Sequence, residues 1–255
     1  MNDAINTEKK KRWVVKVGTS VLTDSAQSRV TRERVETTAD NIAALRKLGK
    51  EVILVTSGAI GIGMGVLELK TRPKELAQLQ AAAATGQGKL MQWYTSRMEE
   101  KHSLHAAQVL LTRGDMEDGQ RSANVKATLE TLLKAGIVPV INENDTVSTE
   151  EIRYGDNDLL SAQVAVLVKA DILVLLTDVD HLRGPQGPLS LIREITPEME
   201  GAARGTDKES STGGARTKFE AAKSAMKANI VMAVKNGRAA EIDWENTDNG
   251  TWFIP

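Results

Sequence analysis

Three short runs constrain the fold of this chain more than any other feature: residues 51–56 (EVILVT), 137–141 (IVPVI) and 171–177 (DILVLLT). Each is apolar with little alternation and rich in branched side chains, the pattern of a strand covered on both faces. Segments with helical spacing lie between them. Thr31 reads as an N-cap, and Val35, Ile42, Leu45 and Leu48 recur at helical intervals until Gly49. Pro73 suits the first turn of a helix running through Leu76, Leu79 and the alanines 81–84 to Trp93 and Met98. Further helices are expected over 121–135, 159–169 and 216–228, and further strands over 13–22, 106–111, 230–234 and 251–254. Pro139 argues against a fully central place for IVPVI. Strands that alternate with helices of this length need crossover connections. The expected fold is α/β, a three-layer αβα sandwich with a mostly parallel central sheet.

Composition narrows the function. With 33 Lys+Arg against 34 Asp+Glu the net charge is −1, so there is no surplus of cations for binding nucleic acid. The chain has no cysteine, which excludes disulfides, thiolate zinc sites and cysteine nucleophiles. Residues 1–12 are polar and end in a Lys/Arg cluster, and are expected to form a flexible arm before a single domain over 13–255. No apolar run approaches the roughly 20 residues of a membrane span, and no export signal follows the basic cluster. A cytoplasmic protein with no membrane partner is expected.

Five loops, each after a strand, carry candidate chemistry. Lys16 sits in a strand and needs an anion to offset its burial, and Gly18, Thr19 and Ser20 follow it with backbone and hydroxyl donors. The glycine-dense stretch 56–63 (TSGAIGIG) is either a nest of N–H donors or a device for close packing, and it matches neither a Walker A loop nor a dinucleotide fingerprint. Asn142-Glu143-Asn144-Asp145 and Gly155-Asp156-Asn157-Asp158 hold more amides and carboxylates than caps and turns require, and suit a small zwitterion or the orientation of cationic groups. Thr177-Asp178 ends the strongest strand. Residues 212–218 (TGGARTK) open a late helix with Lys218 in its first turn, where it opposes the helix dipole and calls for a compensating anion such as a polyphosphate. The turn-rich stretches 183–189 and 201–214 are expected outside the carboxyl ends of the strands, where ligands bind in such sheets.

In order and wording, WVVKVGTSVLT, VTSGAIGIGMGVL, PVINENDTVS, YGDNDLLSAQVA, LLTDVDHL and STGGARTKFEAAKSA resemble the glutamate 5-kinases of the amino-acid kinase family, over about residues 12–255. The resemblance implies transfer of the ATP γ-phosphoryl group to the side-chain carboxylate of L-glutamate, the first step toward proline, with Mg²⁺ bound mainly through the ATP phosphates. It implies catalytic roles for Lys16, Lys218 and Asp158. It further implies nucleotide contacts from Lys16, Thr177, Asp178, Thr212, Gly213, Gly214, Ala215, Arg216, Thr217 and Lys218. Ser57, Asp145 and Asn157 are the implied substrate-binding positions, and no residue is assigned to a metal. Feedback inhibition by proline and a homo-oligomer, dimer or tetramer, also follow from the resemblance, the latter with the Ala-rich helical stretch 78–86 as its contact. Departures are Ala215 where the family often has Met and a short loop over 181–189, and a kinase domain alone, without the C-terminal PUA domain many members carry, is expected. An acid kinase with another substrate and a non-catalytic amino-acid sensor are the alternatives. A carboxylate nucleophile is already ionised near neutral pH, so His102, His105 and His181 have no required part, and the first two are expected at the surface.

Overall fold

A computed structural model describes residues 5–148, 157–204 and 214–255. In chain order the elements are β1 (Arg12–Val17), α1 (Thr19–Leu22), β2 (Thr23–Asp24), β3 (Arg29–Val30), α2 (Arg32–Lys47), β4 (Glu51–Val55), α3 (Ala59–Val66) and α4 (Leu76–His102). β5 (Ala106–Leu111), α5 (Arg113–Glu117), α6 (Gly119–Lys134), β6 (Val138–Glu143), α7 (Asn157–Leu167) and β7 (Ile172–Thr177) follow. The remainder is β8 (Leu182–Gly184), β9 (Gly187–Leu189), β10 (Leu191–Ile192), α8 (Pro197–Arg204), α9 (Ala215–Lys227), β11 (Val231–Asn236) and β12 (Thr251–Phe253).

Eight strands form one sheet in the order β10-β12-β11-β7-β1-β4-β6-β5. Among the described residues only β11 and β12 pair antiparallel within it; the other pairs are parallel. The unbroken apolar runs are therefore explained by two-sided burial. In β1, Trp13, Val15 and Val17 face α2, α3 and α4, whereas Val14 faces α6, α7 and α9. These two apolar layers, one on each side of the sheet, make the αβα sandwich. No described helix is long and apolar enough to cross a membrane.

Several local expectations need correction. The first strand ends at Val17 rather than continuing to residue 22, because the chain turns at Gly18 into the one-turn helix α1. The fourth helix starts after Glu75, so Pro73 lies before it. IVPVI lies between two strands despite its proline: Pro139 is opposite Ala107 on β5, and the ladder with β4 begins one residue later, at Leu54 opposite Val140. Residues 182–189 form the hairpin of β8 and β9. Within the segment expected to be an arm, Ile5 and Thr7 are buried, and Lys50 Nζ donates to the carbonyls of Thr7 and Glu8 at 2.9 and 2.8 Å.

Within the TSGAIGIG stretch, close packing accounts for the glycines that lie inside α3. Only Gly58 has a positive φ, +104°. Gly63 lies inside α3, where a Cβ would stand 1.7 Å from the carbonyl oxygen of Ala82, and one on Gly86 of α4 would stand 1.9 Å from that of Ala59. The glycines let two helix backbones touch. Ala82 and Ala83 are buried in the same region, leaving Ala81 and Ala84 on the outer face of α4. His102 is also not a surface residue: its ring is mostly covered and Nε2 lies 2.7 Å from Asp40 Oδ1, in a cluster with Arg97 and Lys101. His105 is exposed beside Glu99.

Candidate active site

The parallel strands bring their carboxyl ends to one edge, so the turns after β1, β4, β6, β7 and β11 gather there. Lys16 alternates with Val15 and Val17 and so points to the side of the sheet that α7 and α9 cover. Asp158 stands in the first turn of α7 and Lys218 in the first turn of α9. Lys16 Nζ lies 2.7 Å from Asp158 Oδ1 and Lys218 Nζ lies 3.2 Å from Oδ2, with Asp158 0 % exposed and each lysine 7 %. Thr217 Oγ1 donates to the same Oδ2 at 2.8 Å and Lys218 also reaches the Gly214 carbonyl. Burial favours the neutral acid, but Lys16 and Lys218 outweigh it and hold Asp158 well below the ordinary carboxylate range. The compensating anion that Lys218 calls for is thus supplied in part by the protein, and two ammonium groups from distant parts of the chain meet on one carboxylate.

Asn157, the preceding residue, faces a different set. Its Nδ2 donates to the Thr56 carbonyl (2.6 Å), to Ser57 Oγ (3.0 Å) and to Asn142 Oδ1 (3.1 Å). A carbonyl can only accept, so Thr56 fixes which end of the amide is nitrogen, and Asn157 Oδ1 is left as a buried acceptor with no partner among the described residues. Asn142 Oδ1 also accepts from the Glu143 N–H, and its Nδ2 donates to Gln87 Oε1, whose own amide donates to Gln108. Asn142 and Gln87, neither of them a candidate site residue from the sequence, thus join the network around Asn157. Asn142 lay in a quoted cluster, but nothing in the sequence distinguishes Gln87, which reaches the site through helix–sheet packing.

Asp145 follows β6 in a turn. Burial, reinforced by the nearby Glu143 and opposed by Arg72, pushes its carboxyl up to about 7. Thr177 is buried and donates to Asp178 Oδ1 at 3.2 Å, and Ser20 Oγ donates to the same oxygen at 3.3 Å. A Cβ on Gly18 would lie 3.4 Å from Lys16 Nζ, so the backbone of this turn runs directly beside the ammonium group. Gly214 precedes α9, Ala215 is half-buried against the apolar layer, and Arg216 lies on the outer surface paired with Glu220 at 2.9 Å. Among the described nucleotide candidates Arg216 and Asp178 are exposed, whereas Lys16, Thr177 and Lys218 are buried. Thr212 and Gly213 lie outside the described residues, as do Gly155 and Asp156.

A mostly parallel sheet between two helical layers, with two lysines on a buried carboxylate at its carboxyl edge, places this chain among the αβα proteins, a class whose ligands bind at that edge. Comparison makes this particular: the sequence profile of the amino acid kinase family matches residues 11–236, and the chain belongs to that family. It is 43 % identical to the glutamate 5-kinase of Allorhizobium ampelinum, over 96 % of this chain and 64 % of that protein. It is 45 % identical to the glutamate 5-kinase of Moorella thermoacetica, over 96 % of this chain and 67 % of that one. The chain therefore spans about two thirds of the length of these relatives. In fold it is similar to the structure titled carbamate kinase from Giardia lamblia bound to AMP-PNP, with a TM-score of 0.66, 17 % identity, and 97 % and 99 % of the two chains covered.

Proposed function

We propose that this chain phosphorylates the side-chain carboxylate of L-glutamate with ATP, giving L-glutamyl 5-phosphate. The observation that carries the reading is Asp158 joining Lys16 and Lys218 while the adjacent Asn157 turns to Ser57 and Asn142. The similarity to glutamate 5-kinases supports the choice of substrate. A glutamate carboxylate oxygen bonds to the γ-phosphorus as the bond from that phosphorus to the bridging oxygen breaks, and ADP leaves with the electron pair. The nucleophile is already ionised, so no general base is needed. The obstacle is repulsion between two anions, and lysines held in place beforehand answer it, since positioning and electrostatics dominate phosphoryl transfer.

In this reading Asp158 aligns the two lysines, and Lys16 and Lys218 neutralise charge on the transferring group. Thr177, Asp178, Gly214, Ala215 and Thr217 line the nucleotide side, with Arg216, Thr212 and Gly213 as further members of that loop. Ser57, Asp145 and Asn157 bind glutamate, Asn157 Oδ1 being the acceptor for its ammonium group. Mg²⁺, bound through the ATP phosphates, would neutralise phosphate charge. Such an ion is carried mainly by phosphate oxygens and water, with few protein ligands. Proline, which shares the amino-acid backbone, is the proposed feedback inhibitor at the glutamate site. The protein is proposed to act in the cytoplasm, where ATP and free glutamate are available, as a homo-oligomer using the outer face of α4.

Incubation with ATP, Mg²⁺ and L-glutamate, with hydroxylamine as trap, is expected to give γ-glutamyl hydroxamate, and N-acetylglutamate, aspartate or carbamate far less product. Folded protein that gives none with glutamate overturns the proposal. Glutamate binding without turnover identifies a sensor instead.

A further inference from the structure

Arg34 of α2 and Arg238, just after β11, meet behind the turn that follows β1. Every side-chain hydrogen bond they make among the described residues ends on a neutral oxygen. Arg34 donates from Nε to the Val21 carbonyl at 2.9 Å, and from its Nη atoms to the carbonyls of Arg238 and Gly237. Arg238 donates to Ser25 Oγ at 2.6 Å and to the Ser20 carbonyl at 3.0 Å, and its Nε is buried with no partner. Burial and the neighbouring Arg238 lower the Arg34 pKa, outweighing Glu33 and Asp24. Two half-buried like charges side by side disfavour the folded state, and such arrangements collect where a ligand offsets them.

What these guanidinium groups hold is specific. Ser20 and Val21 belong to α1, and cations on their carbonyls suit the carboxyl end of that turn. The other end of the turn is Gly18, beside Lys16 Nζ, and Ser20 Oγ is bonded to Asp178. Packing presses the assembly together, since a Cβ on Gly237 would lie 2.8 Å from Leu176 Cβ and 3.0 Å from Val21 Cγ1.

We propose that Arg34 and Arg238 are positioning residues for the nucleotide polyphosphate, clamping α1 by its carbonyls and placing two positive charges, with no carboxylate among their hydrogen-bond partners, behind the turn that faces the phosphates. This rests on the nucleotide assignment of the proposed function and adds to it residues that touch neither substrate.

The test compares Arg238→Met, Arg34→Met, Arg238→Lys and Ser25→Asp with wild type, each checked for folding by circular dichroism. The two Met variants are expected to raise the KM for ATP about tenfold, as for loss of a charged hydrogen bond, and to leave the KM for glutamate unchanged. Arg238→Lys is expected to recover most of the affinity. Ser25→Asp, at an exposed position, keeps a partner for Arg238 but cancels charge; it is expected to fold as well as wild type and raise the KM for ATP about threefold. An unchanged KM for ATP in Ser25→Asp and the folded Met variants overturns the inference, as does an equal rise in both KM values. ATP-induced thermal shift separates this from failure of the wider reading. A wild type stabilised by ATP beside an Arg238→Met variant stabilised equally overturns the clamp alone, and a wild type that ATP does not stabilise overturns the nucleotide assignment and the clamp with it.

Discussion

Asp158→Asn changes almost nothing in shape and removes a charge on which two buried lysines converge. The amide can offer its oxygen to Lys16 or to Lys218, at positions now 2.7 and 3.2 Å from a carboxylate oxygen, and must turn an NH₂ donor toward the other. Removing one partner of a buried pair costs about 3–5 kcal/mol, a large part of the roughly 5–15 kcal/mol that holds a domain together. Urea unfolding near neutral pH should show a loss of that size. The pH dependence gives the claim a sign. The Asp158 pKa is lowered on folding, so its contribution is complete above the unfolded-state value of about 4 and is lost as pH falls through the folded value. Asn does not titrate, so the stability gap between wild type and variant should close below about pH 4. ATP should recover part of the loss by supplying an anion to the lysines, while the rate of hydroxamate formation stays at least about a hundredfold down. A variant within about 1 kcal/mol of wild type near neutral pH, or a gap that widens on acidification, refutes the reasoning.

Asp145 gives a second pH signature. With its carboxyl raised to about 7, it becomes fully charged only above that point, so the KM for glutamate should fall as pH rises from 6 to 8. Asp145→Asn should abolish that slope, and a slope that persists in the variant excludes this residue as its source. Gly63→Ala would place a methyl group 1.7 Å from the Ala82 carbonyl oxygen and must drive α3 and α4 apart. A loss of about 3 kcal/mol or more in urea unfolding is expected, and a loss below about 1 kcal/mol counts against the backbone contact.

Features governed by a single segment were legible in the sequence. The runs EVILVT and DILVLLT announce buried parallel strands because two-sided burial removes all alternation, and Thr31 caps α2 by accepting from the Arg34 N–H. Lys16 and Lys218 stand out because each is locally unfavourable, one within a strand and the other in a first helical turn. What required the structure is pairing across the fold. Gly63 looks like a loop glycine and Gly86 like any position of a predicted helix until α3 and α4 are seen in contact. His102 looks like a surface residue until Asp40, on another helix, is placed beside it. Gln87 and Arg238 carry no local signature, because what they do depends on strands and turns far away in the chain.

Asn157 and Asp158 are consecutive residues at the start of α7, yet they belong to different clusters, one of amides and hydroxyls and the other of lysines. About 100° of helical rotation separates their side chains. The spacing between the two halves of the site is thus set by a single peptide unit rather than by the meeting of separate loops. Any displacement of α7 would carry Asn157 and Asp158 together, like two jaws cut from one piece of metal. A residue inserted between them would swing one jaw out of line, whereas insertions elsewhere in the neighbouring loops leave the gauge intact.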